Sequence, residues 1–106
     1  MGKLKELAQE KNENKTKVIF RKFSDNSIIA MFPELPGTNN ANTCLNYMST
    51  GQHGAGSADI GWTKPASLNE ALPLVRELIS IGYNLQIVSR FTHAMYLKRA
   101  NALRAV

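Results

Sequence analysis

The stretch that decides the fold of this chain is VIFRKFSDNSIIAMF, residues 18–32. Two runs rich in Val, Ile and Phe, residues 18–23 and 28–32, have the composition of β-strands. The four residues between them, SDNS, are turn formers, because Asp and Asn side chains bond their own backbone and tolerate left-handed conformations. The stretch therefore predicts a β-hairpin.

A third strand is predicted downstream of the hairpin, over residues 43–49. Its side chains alternate, with Leu45 and Tyr47 on one face and Cys44, Asn46 and Met48 on the other. A fourth strand is predicted over residues 84–91, where Leu85, Ile87, Ser89 and Phe91 alternate with Gln86, Val88 and Arg90.

Two helices are predicted in the second half of the chain. Ser67 and Glu70 have the spacing of a capping box, apolar residues follow at helical spacing, and Gly82 is a typical stop. Pro73 either bends this helix or moves its start toward residue 72. Thr92 predicts the cap of a final helix, residues 93–106, with three cations toward solvent: Lys98, Arg99 and Arg104.

This element order predicts the α+β class. We expect a small two-layer domain with a mainly antiparallel sheet of about four strands, one covering helix and a C-terminal helix. The 106 residues suffice for one core. Residues 17–106 are predicted to be that single domain, and residues 1–16, rich in Lys, Glu and Asn, a charged flexible tail.

The composition narrows the class of protein and its partners. The formal net charge is +5 and the pI is about 9.6, a balance that favours anionic partners. A single cysteine excludes an internal disulfide and fits a reducing compartment. Because no apolar run is long enough to span a bilayer, we expect a cytoplasmic protein without a membrane partner.

A polar, glycine-rich segment, GQHGAGS at residues 51–57, stands out and is predicted to be a binding loop. Glycine lets a backbone approach a ligand closely, and its neighbours can supply hydrogen bonds. Gly51, Gln52, His53 and Gly54 are therefore candidate ligand-binding residues. The segment matches neither the Walker loop nor the dinucleotide fingerprint.

Five further residues complete the predicted ligand cleft. Asn40 and Asn42 offer amides that suit base edges, although the same residues suit turns. Tyr47 and Trp62 could stack on a nucleobase, although aromatic residues in a small domain are more often core. Lys64, two residues after Trp62, could contact a phosphate.

Catalytic and metal chemistry have weaker support. Cys44 and His53 could form a nucleophile–base pair, but the predicted strand from residue 44 to 49 is roughly 17 Å long and separates them. Asp59 could orient His53 or simply cap the loop. Two histidines and one cysteine do not build a structural zinc site. We therefore predict no catalytic residue, metal or cofactor.

Five blocks together resemble a family of short proteins encoded by bacteriophages and other bacterial mobile elements. They are VIFRKF at 18–23, IAMFPE at 29–34, NTCLNY at 42–47, GQHG at 51–54 and IGYNL at 81–85. The resemblance covers residues 17–92, and GQHG after a Tyr-containing strand is its most specific part. It implies a setting, an accessory protein in a bacterial cytoplasm, and assigns no catalytic residue.

These observations leave three functional hypotheses. The first is a non-enzymatic module that binds an anionic nucleotide-type ligand or nucleic acid through the GQHG segment. The second is a protein-interaction module or inhibitor that docks on a host or phage protein. The third is a small His-dependent enzyme. A homodimer is compatible with all three.

Overall fold

A computed structural model describes residues 15–48, 52–57, 61 and 63–104 of the chain. These residues form an α+β domain, as predicted, with six strands and two helices. In chain order the elements are β1 (Thr16–Lys22), β2 (Ile28–Phe32), β3 (Thr43–Met48), β4 (Gln52–Ser57), β5 (Lys64–Pro65), α1 (Leu68–Ser80), β6 (Leu85–Ile87) and α2 (His93–Arg104).

The strands form one sheet with the order β4-β3-β2-β1-β5, in which all neighbours are antiparallel. The outer edge of β1 is shared by two short strands. The antiparallel β5 pairs with its end, opposite Arg21 and Lys22, while β6 pairs in parallel with its beginning, opposite Thr16 to Val18. The strands β5 and β6 therefore pair with opposite ends of the same edge of β1.

Both faces of the sheet carry apolar side chains, because β1 and β2 are buried on either side. Helix α1 covers the first face with Ala71, Leu74 and Leu78. These side chains form one buried cluster with five residues of the sheet, Val18, Phe20, Ala30, Phe32 and Tyr47. The second face is smaller, with Ile19, Ile29, Met31 and Cys44 packed against Phe23, Met48, Val88 and Phe91. Both faces of the sheet therefore contribute to the hydrophobic core, and helix α1 covers only one of them.

Helix α1 begins as the sequence predicts. The Ser67 hydroxyl accepts from the Glu70 N–H at 3.1 Å, and the Glu70 carboxylate accepts from the Ser67 N–H at 3.0 Å. Pro73 lies inside the helix without displacing its start. Gly82 ends the segment with a φ of 111°, a conformation that side chains disfavour.

Three sequence predictions about these elements are wrong in detail. The predicted binding loop is strand β4, because the strongly alternating β3 offers it a six-residue ladder that overrides its low strand propensity. The predicted strand 84–91 shrinks to Leu85–Ile87, since the chain turns away after Val88 donates to the Val18 carbonyl. Thr16, assigned to the tail, begins β1; residues 1–14 lie outside the described residues.

Helix α2 is attached to the segment between β2 and β3 through a buried cation. Arg99 was predicted to face solvent, yet only 4% of its surface is exposed. Its Nε donates to the Ala41 carbonyl at 2.8 Å, its Nη1 donates to the Pro33 carbonyl, and its guanidinium lies over the rings of Phe91 and Tyr96. Arg99 therefore connects helix α2 to the segment between β2 and β3 by two hydrogen bonds.

Neither helix in the described part of the chain has the length and hydropathy needed to cross a bilayer.

Candidate functional site

His53, the most prominent candidate from the sequence, belongs to an aromatic cluster. It lies on β4 directly opposite Tyr47 of β3, and the two rings meet edge-on with centroids 4.8 Å apart. Its Nε2 is 2.7 Å from the hydroxyl of Tyr83, whose ring stacks on Phe32 at 5.0 Å. Although His53 is exposed, packing and one hydrogen bond between side chains account for its position.

A carboxylate, that of Glu77 on α1, adjoins the same cluster. The pKa of the Tyr47 hydroxyl is raised mainly by burial and also by the neighbouring Glu77 carboxylate. Burial raises the pKa of the Tyr83 hydroxyl as well. One oxygen of Glu77, Oε2, is buried without a hydrogen-bond partner among the described residues. Because both phenols remain protonated at neutral pH, they can donate hydrogen bonds but do not act as bases.

The glycines of β4 have a packing explanation. The Asn46 side chain lies over this strand, where a Cβ on Gly54 would be 2.9 Å from its Oδ1 and a Cβ on Gly56 would be 3.2 Å from its Nδ2. Only glycine leaves room for the amide at these positions without displacing it. A ligand is therefore not required to explain the glycine pattern.

Asn40 and Asn42 form a turn, which is one of the two roles that the sequence allows them. The Asn40 side-chain oxygen accepts from the Asn42 N–H at 2.9 Å, and the Asn40 carbonyl accepts from the Thr43 hydroxyl at 2.7 Å. Thr43 pairs with Ser57, at the end of β4 away from His53. Four residues along β3 separate the two places, a distance of roughly 13 Å.

Lys64 lies still further from His53. It belongs to β5, and four strand spacings separate β5 from β4, or roughly 19 Å across the sheet. Gly51 and Trp62 are outside the described residues, and Gln52 begins β4. The predicted site residues that are described thus occupy three separate places instead of one cleft, and their binding of a ligand stays a prediction.

The Cys44–His53 pair is not assembled. Cys44 pairs with Gly56 and His53 with Tyr47, so the two side chains point to opposite faces of the sheet. Burial raises the pKa of the fully buried Cys44 thiol to about 11, which removes its nucleophilic form at neutral pH. Asp59 lies outside the described residues. Among those that are described, no three His, Cys, Asp or Glu side chains form a group that could hold a metal ion.

A concave site lies at the shared edge of β1, and we call it the fork cavity. Ala66 N–H donates to the Phe20 carbonyl and Val88 N–H to the Val18 carbonyl, after which the chain leaves the sheet toward α1 and α2 respectively. The space between these departing segments has a volume of about 520 Å³. It is lined by Phe20, Arg21, Pro65, Ala66, Ser67, Leu68, Ala71, Ile87, Val88, Ser89, Arg90, Thr92 and Met95.

The described lining of the fork cavity is mostly apolar and includes two positive charges. Two arginines, Arg21 and Arg90, belong to its described lining, which contains no acidic residue. Arg21 is oriented by Thr63, whose hydroxyl and carbonyl accept from its Nε and Nη2 at 2.9 and 2.7 Å. The lining includes the N-caps of both helices, Ser67 and Thr92. The Glu70 carboxylate already accepts from the Ser67 N–H, so it is the N-terminus of α2 that adds uncompensated positive dipole at the cavity.

Sequence reasoning did not find this cavity, although it found some of its parts. Ser67 and Thr92 were predicted as helix caps, and two caps of this kind mark two helix N-termini. Nothing in the sequence indicates that they come together, because β5 and β6 are short and their pairing with β1 depends on the tertiary fold. Arg21 and Arg90 were assigned only to strand positions.

No known protein-family model matches this chain, and neither a curated protein nor a solved structure matches it significantly. The bacteriophage family resemblance therefore stays a prediction.

Proposed function

We propose that this domain is a non-enzymatic binding module for a small anionic ligand of nucleotide type, held in the fork cavity. The observation that carries the proposal is the combination of a mostly apolar lining, two arginines and the N-cap residues of both helices around one cavity of about 520 Å³. Small-molecule sites commonly have this size and a few convergent polar groups. The basic composition of the chain supports an anion as the ligand.

The chemistry of the lining suggests how a nucleotide would lie. Phe20, Leu68 and Ile87 offer apolar surface for a base, and Leu68 and Ile87 are 62% and 50% exposed without a ligand. A phosphate would lie near Arg90 and the N-terminus of α2, where a guanidinium and backbone N–H groups stabilise negative charge. The ligand would therefore cover apolar surface that is otherwise in contact with water.

The same lining supports binding rather than hydrolysis. It contains no His, Asp, Glu or Cys among its described members, so it offers no general base near neutral pH. The titratable side chains of the aromatic cluster, including His53, line neither of the cavities described for this domain. A His-dependent reaction in the fork cavity thus lacks its catalytic group.

The direct test is a calorimetric titration with nucleoside mono- and triphosphates at low salt. Arg90→Ala is expected to weaken binding by about tenfold or more, because a hydrogen bond from a charged donor contributes about 1.5–3 kcal/mol. Arg76→Ala is the matched control, since this exposed arginine lies on α1 and does not line the cavity. Absence of binding, or equal losses in both variants, would remove the proposal.

The protein-interaction alternative is favoured by a different surface. Ile79 and Ile81, at the C-terminal end of α1, are 56% and 50% exposed. They lie outside the fork cavity, and eleven residues of helix, roughly 16 Å, separate Ile79 from Leu68. An Ile79→Ser, Ile81→Ser variant that loses a bound protein partner but keeps its nucleotide affinity would support this alternative.

A further inference from the structure

A second cavity, which we call the turn cavity, adjoins the fork cavity across β5. It has a volume of about 400 Å³ and is lined by Lys22, Phe23, Ser24, Asn26, Gly61, Thr63 and Lys64. On β1 the fork cavity has Arg21 and the turn cavity Lys22, while on β5 they have Pro65 and Lys64 respectively. Thr63, which lines the turn cavity, holds the Arg21 guanidinium. The two cavities are thus neighbours along one basic edge.

The lysines of the turn cavity have an unfavourable arrangement for folding alone. Lys22 and Lys64 are direct partners in the antiparallel ladder, and like charges at such positions destabilise a sheet. Glu70 compensates Lys22 through a 2.7 Å salt bridge. Within the described part of the chain no salt bridge reaches Lys64, so a second anion at this corner would relieve the repulsion.

The remaining lining of the turn cavity suits a nucleotide unit. Phe23, which also packs against the second face of the sheet, contributes part of its aromatic ring to the lining, and Ser24 and Asn26 supply hydrogen-bonding groups. The carboxylate of Asp25, in the same turn, accepts from the N–H and hydroxyl of Ser27 at 2.9 and 2.6 Å. Those bonds orient the acid toward its own turn, and among the described residues of the lining only Lys22 and Lys64 carry a charge.

We infer that the fork and turn cavities are successive subsites for a short single-stranded oligonucleotide. This inference rests on the proposed function: one nucleotide occupies the fork cavity, and its neighbour places a base near Phe23 and a phosphate near Lys64. Single-stranded nucleic acids are commonly held by a positively charged track with aromatic side chains beside it. A mononucleotide would use only half of this edge.

The test compares a nucleoside monophosphate with a trinucleotide by calorimetric titration at low salt. The unaltered protein is expected to bind the trinucleotide roughly tenfold more tightly, from one added stacking contact and one added phosphate contact. Lys64→Ala should abolish this gain and leave mononucleotide affinity unchanged, while Arg90→Ala should weaken both ligands. Arg76→Ala is the control for a general loss of positive charge.

The possible failures of the two proposals differ. If the mononucleotide binds in an Arg90-dependent way and the trinucleotide gains nothing, the second subsite is wrong and the proposed function stands. If neither ligand binds, both proposals fail. Equal losses in Lys64→Ala and Arg76→Ala would show a non-specific charge effect and overturn the subsite. An acidic peptide that binds as tightly as the trinucleotide would overturn the ligand class.

Discussion

Replacing Arg99 with Met is expected to destabilise the domain strongly. The substitution keeps an unbranched apolar chain but removes the guanidinium that donates to the Ala41 and Pro33 carbonyls. Hydrogen bonds from a charged donor contribute about 1.5–3 kcal/mol each, and the contacts with two aromatic rings add about 0.5–2 kcal/mol. The gross loss is therefore about 3.5–8 kcal/mol.

Part of that loss is offset, because burying a guanidinium costs several kcal/mol and Met does not incur this cost. The two carbonyls nevertheless lose their donor. We expect a net loss of about 2–4 kcal/mol, a large fraction of the 5–15 kcal/mol that is typical of a domain. In urea unfolding followed by far-ultraviolet circular dichroism, the midpoint should fall by about 1–2 M.

A neighbouring residue provides the control for this experiment. Lys98 precedes Arg99, its side chain is 66% exposed, and its Nζ lies 3.3 Å from a Glu34 oxygen. Because surface ion pairs contribute little, Lys98→Met should change the free energy of unfolding by no more than about 1 kcal/mol. If the Arg99→Met midpoint matches that of the unaltered protein, the role assigned to the buried arginine in attaching α2 is wrong.

Three further predictions test packing and ionisation. Gly37→Ala should lower stability by about 2 kcal/mol in thermal unfolding, because its Cβ would lie 2.6 Å from the Cys44 carbonyl oxygen and 2.7 Å from the Ala55 Cβ; an unchanged melting temperature would refute this. Since burial raises the pKa of Cys44 to about 11, a thiol reagent at mildly alkaline pH should label the native protein far more slowly than the urea-unfolded chain, and similar rates would argue against burial. A hydrogen bond from Lys22 is the main cause that lowers the pKa of Glu70 to about 2. This stabilisation is complete above the ordinary pKa of 4.5 and is lost as pH falls toward 2, so Glu70→Gln should flatten the acid side of the stability profile; a profile that keeps its slope would contradict the assignment.

The parts of the fold that local chemistry determines could be predicted from the sequence. The hairpin follows from strand formers around an Asp-Asn turn, and in the structure Asn26 adopts a φ of 70° while Asp25 bonds Ser27. The start of α1 follows from the reciprocal bonds of Ser67 and Glu70. Each of these features depends on residues a few positions apart.

The parts that depend on distant pairing could not be predicted. The segment around His53 has low strand propensity, and only its ladder with β3 makes it a strand. The burial of Arg99 depends on carbonyls 58 and 66 residues earlier in the chain. The fork cavity depends on the short strands β5 and β6, which both pair with β1, and neither has a sequence pattern of its own.

The glycine pattern has two physical origins that look alike in a sequence. Glycine beside polar residues is typical of ligand-binding loops, and the same pattern arises when a side chain must lie flat on a strand. Here Asn46 takes the space above Gly54 and Gly56. The sequence alone does not show whether a glycine makes room for a ligand or for a neighbouring side chain.

The location of the ligand tests the central claim most directly. In a two-dimensional amide NMR titration with a nucleoside triphosphate, the fork-cavity account predicts the largest shift changes at residues 66–68 and 89–92, with little change at residues 53–57. Saturating shifts centred on residues 53–57, with the amides around Arg90 unmoved, would contradict the account and return the site to the His53 strand.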